Sequence, residues 1–372
     1  MSHSDKVKFN EGSQCISTKG CSVNRHAVIV GGSGFIGEYA VSAFLLEGWR
    51  VTVVDPSPFN NWLHQNRSQF KVLNIDASDI GYIRDYAEDA DVIVNLAMHY
   101  PEPPHPFAIA NTGSTQNSNC KCCHTAYKEP KESSRETNFR NVFEASKALL
   151  SAAHHYNPSV RHILLSSRSV YGPPHCIPVD EKHPTRPITE YGKQKLLIEQ
   201  LYACFSNEYG SDVCILRATD AYGPRKLKAA SNLGTIGRMI CEAIYHNKIT
   251  IWNKTLIRDF IYAEDIGRAI AYLASSSHDN IEVINIGSGE GVKLESVCSA
   301  IREHLNCNIE IVEDMDDKGR LLSFSFVADV AKIMSMAEGK FNPVDIDLGI
   351  SLTVSDYLRQ LSPFHRREGD RT

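Results

Sequence analysis

Several features are missing from this 372-residue sequence. It contains no apolar run long enough to span a bilayer, and its polar first 24 residues lack the apolar stretch of a secretory signal. Its formal net charge is only -5, so the chain has no overall attraction for nucleic acid or for anionic lipid. It has no internal repeat. These absences exclude membrane and polyanion-binding classes, and they favour a cytoplasmic protein with a small-molecule partner.

Segments rich in Val, Ile and Leu alternate with amphipathic segments from Arg25 onward. The predicted strands are 27–30, 50–55, 70–75, 91–97, 161–167 and 212–218, and the main predicted helices are 37–47, 138–155 and 191–209. Such nearly continuous apolar strands are typical of a parallel sheet that is covered on both faces. The alternation predicts an α/β fold with a doubly wound, Rossmann-type parallel sheet.

The composition divides the chain into three predicted parts. Residues 1–24 form a flexible N-terminal tail, and 25–219 form the Rossmann-type domain. Residues 220–372 mainly form a smaller C-terminal α/β lobe for the substrate, with some segments returning to the first domain. A loop insertion at about 100–137, rich in Pro, Ser, Asn and Lys, interrupts the first domain. It follows a strand end, so we expect it at the mouth of the site, as a lid or as a wall of the pocket.

Four glycines follow the first predicted strand within seven positions, in the segment GGSGFIG. Because glycine has no Cβ, such a turn is tight, lets the backbone approach a pyrophosphate, and lets the next helix pack close to the sheet. The start of that helix directs its amides towards the phosphates. The pattern predicts a dinucleotide site in the first domain. The residues expected at the pyrophosphate are Gly31, Gly34, Phe35, Ile36 and Gly37.

Three further residues are predicted to contact the dinucleotide. Asp55 ends the second strand, where a carboxylate accepts both hydroxyls of the adenosine ribose and repels a 2′-phosphate, which favours NAD over NADP. Asp76 follows the third strand and is placed to accept from the adenine amino group. Ala97 ends the segment VNLA after the fourth strand. The alternative is an ordinary strand–turn–helix with an aspartate at the surface.

Tyr191 and Lys195 are spaced i, i+4 in a predicted helix, which places both side chains on one face. An ammonium group beside a phenol favours the phenolate, which can then act as a general base. Upstream, a predicted strand ends in Ser166 and Ser167, where a hydroxyl can bind a substrate oxygen. The alternative is an exposed pair on the helix surface.

Seven segments in order carry a resemblance to a known superfamily: GGSGFIG, VNLA, SSRSVYG, YGKQK, LRATDAYGPR, RDFIYAED and NIGSGEG. Over more than three-quarters of its length the chain resembles the extended short-chain dehydrogenases/reductases, in particular the NAD-dependent nucleotide-sugar epimerase/dehydratase family (UDP-glucose 4-epimerase-like). The resemblance implies Tyr191 as the catalytic base and Ser167 as the catalytic hydroxyl. It implies Lys195 as the partner of Tyr191 on the nicotinamide ribose, so that both also contact NAD.

The resemblance also implies a reaction. A hydride passes from a sugar carbon to NAD while Tyr191 takes the hydroxyl proton. Ser169 stands where dehydratases and decarboxylases of this branch carry an acid, so the chain resembles a 4-epimerase, which returns the hydride to the opposite face of a keto-sugar. Two alternatives stay open: an NAD(P)-dependent dehydrogenase or reductase of a sugar or other secondary alcohol, and a non-catalytic dinucleotide-sensing protein. The family also implies a homodimer through helices 138–155 and 191–209.

Four residues are predicted to bind the substrate. Arg258 matches an arginine that holds the diphosphate in the family, a task that suits a guanidinium fork; the alternative is a surface pair of Arg258 with Asp259. Asp220 departs from the family pattern, which has an asparagine there. A carboxylate at this position repels phosphate unless Arg225, Arg258 or a metal compensates. The predicted set is Ser167, Asp220, Arg225 and Arg258.

A group of thiol and imidazole side chains lies within the predicted loop insertion. Its members are Cys120, Cys122, Cys123 and His124. Zinc prefers these ligand types, but their spacing is not that of a standard zinc site. We therefore predict no bound metal, with metal or redox use of the loop as the alternative.

Overall fold

The computed structural model describes residues 25–59, 68–76, 83–97, 132–225, 227, 233–276, 281–313 and 324–365. Three predicted features lie outside these residues: the tail at 1–24, the cysteine group at 120–124, and most of the loop insertion. Within the described ranges, no helix combines the length and the apolar character that crossing a membrane requires.

Strands and helices alternate through most of the chain. The strands are β1 (His26–Val30), β2 (Arg50–Val54), β3 (Phe70–Leu73), β4 (Val92–Asn95), β5 (Arg161–Ser167), β6 (Val213–Ala218), β7 (Asp220–Tyr222), β8 (Lys248–Ile251), β9 (Ile257–Arg258), β10 (Phe260–Tyr262), β11 (Ile281–Ile286), β12 (Val292–Lys293) and β13 (Glu310–Glu313). The helices are α1 (Phe35–Leu46), α2 (Ile83–Ala87), α3 (Glu132–Tyr156), α4 (Glu190–Tyr209), α5 (Gly234–His246), α6 (Ala263–Ser275), α7 (Leu294–Leu305), α8 (Ala331–Met336) and α9 (Ile346–His365).

Seven parallel strands form one sheet in the order β11-β6-β5-β4-β1-β2-β3. Side chains of β1 alternate between its two faces: Ala27 and Ile29 pack with α1 and α6, whereas Val28 and Val30 pack with α2 and α3. Both faces are covered, which explains why β1, β4 and β6 are apolar along most of their length. The prediction of a doubly wound, Rossmann-type α/β fold is confirmed.

Several predicted boundaries differ from the observed ones, and two of them concern the starts of helices α1 and α3. The sequence pattern places the start of α1 at residue 37, but the helix begins at Phe35, with Gly34 as its N-cap. The pattern also extends the loop to residue 137, whereas α3 begins at Glu132. The first turns of α3 carry the polar sequence ESSRET, which has no apolar period by which a helix could be recognised.

A second apolar core lies among the elements that follow β6. It is formed by α5, α7 and α9 together with the short strands β8 and β10. Three two-stranded sheets, β7–β10, β9–β12 and β8–β13, accompany it. The chain also returns to the large sheet, because β11 pairs with β6 and α6 packs against α1.

Candidate active site

A cavity of about 410 Å³ opens at the carboxyl ends of β1, β2 and β4. In doubly wound sheets this edge is where ligands bind, at the point where the strand order reverses. Five of the predicted cofactor residues line it: Gly31, Gly34, Asp55, Asp76 and Ala97. The structure therefore brings together residues that follow four different strands.

Helix α3 forms a wall of this cavity that the sequence prediction missed. It contributes Asn141, Val142, Ala145, Ser146 and Leu149. Asn141, Ala145 and Leu149 follow one another at four-residue intervals, and this spacing on the helix after β4 is the signal that could have identified them.

The glycine turn is closely packed at two points. Gly31 has a φ of +81°, and a Cβ on it would lie 2.8 Å from the backbone nitrogen of Ala97. A Cβ on Gly37 would lie 2.4 Å from the carbonyl oxygen of Gly31. The turn therefore touches the end of β4 and the first turn of α1 without side chains in between. Of the other predicted residues, Ile36 packs into the core, and the Phe35 ring meets Tyr39 edge-on.

The carboxylate of Asp55 is buried and held in place on the cavity wall. Its Oδ2 accepts a hydrogen bond from the backbone N–H of Ser33 at 3.0 Å, and its Oδ1 accepts one from the N–H of Ser57 at 2.8 Å. Each oxygen retains a further lone pair for a ligand hydroxyl. Asp55 thus fits the ribose of an adenosine, as its position after β2 predicts.

Asp55→Asn is expected to weaken NAD binding and to narrow the preference for NAD over NADP by about tenfold, because the amide removes the charge that opposes a 2′-phosphate. Calorimetric titration with each dinucleotide measures both affinities. Asp345→Asn is the matched control, since Asp345 also accepts two backbone amides, from Asp347 and Leu348. An unchanged ratio of the two affinities in Asp55→Asn would contradict this role.

Helix α4 starts directly against the turn that follows β5. The hydroxyl of Thr189 caps it by accepting from the N–H of Gly192 at 3.0 Å. A Cβ on Gly192 would lie 2.4 Å from the carbonyl oxygen of Ser169, so glycine is needed for this close approach. In the same turn, the hydroxyl of Ser167 accepts from the N–H of Ser169 at 3.2 Å. The first turn of α4, with Tyr191, is thereby packed against the segment that carries Ser167.

Lys195 lies one turn after Tyr191 and is 3% exposed. Its ammonium donates to the carbonyl oxygen of Leu165 at 2.7 Å and lies 6.0 Å from the centroid of the Tyr191 ring. Burial lowers the pKa of Lys195 from its ordinary value of 10.5 to about 8, although the charge of Glu199 opposes this shift. The predicted Tyr–Lys pair therefore forms a partly buried unit rather than an exposed one.

Behind Lys195, the carboxylate of Glu199 is buried and fully engaged. It accepts from Nη2 of Arg217 at 2.7 Å and from the hydroxyl of Ser166 at 2.5 Å. Arg217 in turn stacks over the Tyr171 ring, with its guanidinium carbon 4.8 Å from the centroid. This network ties the third turn of α4 to the ends of β5 and β6.

The buried ammonium of Lys195 predicts a pH-dependent stability. The pKa of Lys195 is lower in the folded chain than in the unfolded chain, so the unfolded chain binds more protons between about pH 8 and 10. Below pH 8 the side chain is charged in both states, and the folded chain bears the full cost of burying that charge. The free energy of unfolding of the wild type, minus that of Lys195→Met, is expected to rise by about 1 kcal/mol per pH unit across this interval. Urea unfolding at several pH values measures it. Lys193 is exposed on the same helix, and Lys193→Met provides the control. If the difference in free energy of unfolding between wild type and variant were independent of pH for both variants, the lowered pKa of Lys195 would be contradicted.

Asp220 lies between two arginines. Nε and Nη2 of Arg168 donate to its two carboxylate oxygens at 2.8 and 3.1 Å, and Nη1 of Arg258 lies 3.4 Å from Oδ2. Burial by itself raises the pKa of Asp220, but the charges of Arg168 and Arg258 outweigh it and hold this pKa below its usual value. Burial and the neighbouring Arg168 lower the pKa of Arg258 to about 10, so it is still charged at neutral pH.

The compensation of Asp220 thus involves Arg168, which the sequence prediction missed, together with Arg258. The available signals were an arginine directly after Ser167 and an aspartate in place of the usual asparagine. Arg225 lies elsewhere, with its guanidinium carbon 4.5 Å from the centroid of the Phe35 ring at the start of α1.

The alternative of a surface pair between Arg258 and Asp259 is wrong. Asp259 is 1% exposed, and its carboxylate accepts from the backbone N–H groups of Ser288, Gly289 and Ala328 at 2.9 to 3.2 Å. It therefore holds two distant segments, 288–289 and 328, against its own, while Arg258 points to Asp220. Across the described ranges, no group of three or more His, Cys, Asp or Glu side chains is placed to hold a metal ion.

Ser167, Tyr191 and Lys195 do not line the cavity described above. A doubly wound sheet with a glycine turn at its switch point and a Tyr–Lys helix packed against the turn after β5 defines a Rossmann-type, dinucleotide-dependent class of protein. Residues 27–120 and 123–287 match the model of the NAD dependent epimerase/dehydratase family, and the chain belongs to this family. Three predictions are confirmed: the family, that the protein is an enzyme, and that its cofactor is NAD.

Similar proteins carry related names. The UDP-glucose 4-epimerase of Rhizobium leguminosarum bv. trifolii is 26% identical over 303 residues, which cover 75% of this chain and 82% of that protein. The UDP-arabinose 4-epimerase 1 of Arabidopsis thaliana is 25% identical over 310 residues, covering 77% and 68%. The crystal structure of a Thermotoga maritima UDP-glucose 4-epimerase with UDP-glucose aligns with a TM-score of 0.71 at 23% identity, over 90% of this chain and 99% of that one. This structural likeness shows the shared fold.

Proposed function

We propose that the protein is an NAD-dependent epimerase that inverts one secondary alcohol of a nucleotide-sugar through a transient keto-sugar. Family membership and the names of the relatives, UDP-glucose and UDP-arabinose 4-epimerases, support the reaction class. The observation that carries the proposal is the close approach of the first turn of α4, at Gly192, to the turn that bears Ser167, with Lys195 bonded to Leu165 of β5 and 6.0 Å from the Tyr191 ring.

The residues of the cleft fit the cofactor. Gly31 and Gly34, with the first turn of α1, would hold the pyrophosphate, and Asp55 would hold the adenosine ribose. Asp76 and Ala97 would line the adenosine side of the cavity. When bound, NAD accepts a hydride from the sugar carbon and returns it.

The protein's own side chains would transfer the proton of the sugar hydroxyl. Tyr191 takes the proton of the sugar hydroxyl and later returns it, and the ammonium of Lys195 favours the phenolate that does so. Ser167 donates a hydrogen bond to the same sugar oxygen. Ser169 offers a hydroxyl where elimination of water would need an acid, which favours epimerisation over dehydration.

Residues 220–372 are proposed as the main substrate lobe, with Asp220 and Arg258 on its side of the site and Arg225 at the start of α1. We also propose a cytoplasmic homodimer that joins through α3 and α4. The exposed apolar side chains of Tyr156, Leu197 and Tyr209 on these helices support such a contact. Sedimentation of a monomer alone, even in concentrated samples, would contradict the dimer.

The decisive experiment follows the fate of NAD during turnover. Thermal-shift screening against UDP-, dTDP-, GDP- and CDP-sugars first selects ligands, since binding to the folded state raises its melting temperature. Each selected sugar nucleotide is then incubated with enzyme and NAD, its configuration is determined by NMR, and NADH is followed by absorbance. An epimer without accumulation of NADH supports the proposal. One NADH per turnover supports the dehydrogenase alternative, and NAD binding without any product supports a dinucleotide sensor.

A further inference from the structure

Arg168, Asp220 and Arg258 meet at one edge of the large sheet. In the register of β5 with β6, Ser167 lies opposite Ala218, so Arg168 and Asp220 both stand just beyond the ends of adjacent strands. Asp220 also pairs with Phe260, which places the segment of Arg258 beside it. The three charged groups therefore lie at the carboxyl edge where the substrate is proposed to bind.

Among the residues that the structure describes, this cluster holds one positive charge in excess. Both arginine side chains are only 11% exposed, and within the described ranges they share one carboxylate, that of Asp220. The guanidinium of Arg168 also lies 5.4 Å from the ring centroid of Phe326, which restricts its position. Burying a second arginine without a second acid has a desolvation cost that no further ion pair offsets. A purely structural role would need only one arginine paired with Asp220. An anionic ligand would provide the missing negative charge.

The donors of the cluster also match such a ligand. Asp220 accepts from two nitrogens of Arg168 and from one nitrogen of Arg258. A guanidinium carries more N–H groups than these bonds use, and it recognises phosphate or carboxylate through two parallel bonds. Asp220 therefore holds both guanidinium groups in place and leaves N–H groups on each of them for a ligand.

We propose that Arg168 binds an anionic group of the substrate, and that Asp220 is the positioning residue that holds Arg168 in place. The inference rests on the proposed function and deepens it by naming the substrate's anionic group as the ligand of Arg168. That group is either a phosphate of the diphosphate or a carboxylate on the sugar. Because Arg168 follows Ser167 directly, either group would be bound next to the reacting hydroxyl.

The test is a double-mutant cycle, read as ligand binding rather than turnover. The NAD-loaded wild type, Arg168→Gln, Asp220→Asn and the double variant are titrated calorimetrically with UDP, UDP-glucose and UDP-glucuronic acid. Arg168→Gln is expected to weaken binding by about 10- to 100-fold, as for the loss of a charge-assisted hydrogen bond. The double variant is expected to stay weakened by about tenfold or more, because the bond from Arg168 to the ligand is still missing and Asp220 acts only through Arg168. Recovery of wild-type affinity in the double variant would show that Arg168 only neutralises Asp220, and would overturn the proposal.

The three ligands distinguish the two anionic groups. Equal losses for UDP and UDP-glucose assign Arg168 to the diphosphate, and a loss confined to UDP-glucuronic acid assigns it to a sugar carboxylate; both support the proposal. Binding of all three ligands by Arg168→Gln within twofold of the wild type overturns it, as does a wild type that binds none of them. If the enzyme turns over no sugar nucleotide but the cycle behaves as expected, the proposed function fails while the role of Arg168 stands.

Two controls guard against a folding defect. Arg161 is also buried, lies at the opposite end of β5, and pairs with Asp212 at 3.5 Å. Arg161→Gln is expected to lower the melting temperature without changing the affinity for UDP. If Arg168→Gln does not fold, Arg168→Lys replaces it: the charge is kept but the fork is lost, and a loss of about tenfold is expected. An affinity equal to that of the wild type would then overturn the proposal.

Discussion

Tyr191→Phe is expected to lower kcat for epimerisation by about 100- to 10,000-fold, the range for removal of a general acid–base group. The phenyl ring keeps the packing of the first turn of α4 against the turn after β5, and only the proton-accepting oxygen is lost. Lys195 retains its bond to the carbonyl oxygen of Leu165, so the helix stays in place. We therefore expect the melting temperature and the affinity for NAD to stay close to those of the wild type.

Tyr209→Phe serves as the control for this substitution. Tyr209 is the last residue of the same helix, so it lies at the opposite end of α4 from Tyr191, and its side chain is exposed. Its kcat is expected to match the wild-type value. A kcat within threefold of the wild type for Tyr191→Phe, measured with the natural epimer pair, would remove the basis of the proposed mechanism.

Gly31→Ala is expected to reduce the affinity for NAD by about 100-fold or more, equivalent to about 3 kcal/mol. Two costs combine at this position. The φ of +81° disfavours any residue with a Cβ, and the added carbon would lie 2.8 Å from the backbone nitrogen of Ala97. The turn must move away from the end of β4, which displaces the backbone that lines the cofactor cavity. Calorimetric titration with NAD measures the loss, and thermal unfolding measures the accompanying destabilisation.

Gly48→Ala separates these two costs. Gly48 has nearly the same φ, +79°, but a Cβ there would meet nothing within 4 Å. It is expected to lose about 1 kcal/mol of stability from the left-handed backbone alone, with no change in NAD affinity. If Gly31→Ala and Gly48→Ala were equally mild, the close approach between the glycine turn and β4 would not matter for binding.

Much of the fold and the glycine-turn side of the cavity could be predicted because both rest on local sequence patterns. Continuous apolar segments such as 27–30 reflect strands buried on two faces. Gly31 and Asp55 each follow a strand directly, so their place at the carboxyl edge depends only on strand direction. Tyr191 and Lys195 share a helix face because of the helical repeat alone. In each case the relevant neighbours lie within a few residues or at a strand end.

The rest was decided by contacts between distant segments. Arg168 and Asp220 meet because β5 and β6 are neighbours in the sheet, and Arg258 joins them through the pairing of β10 with β7. The buried acceptor role of Asp259 likewise depends on two loops far along the chain.

Periodicity and strand ends are local properties, so the order of amino acids alone predicts the class of fold and the residues of the glycine turn. Which charges share a carboxylate depends on strand order and on which side chains are buried together, and these are properties of the folded chain. The same reason explains why helix α3 as a wall of the cavity was missed: its residues Asn141, Ala145 and Leu149 are ordinary on a helix and acquire their role from what packs opposite.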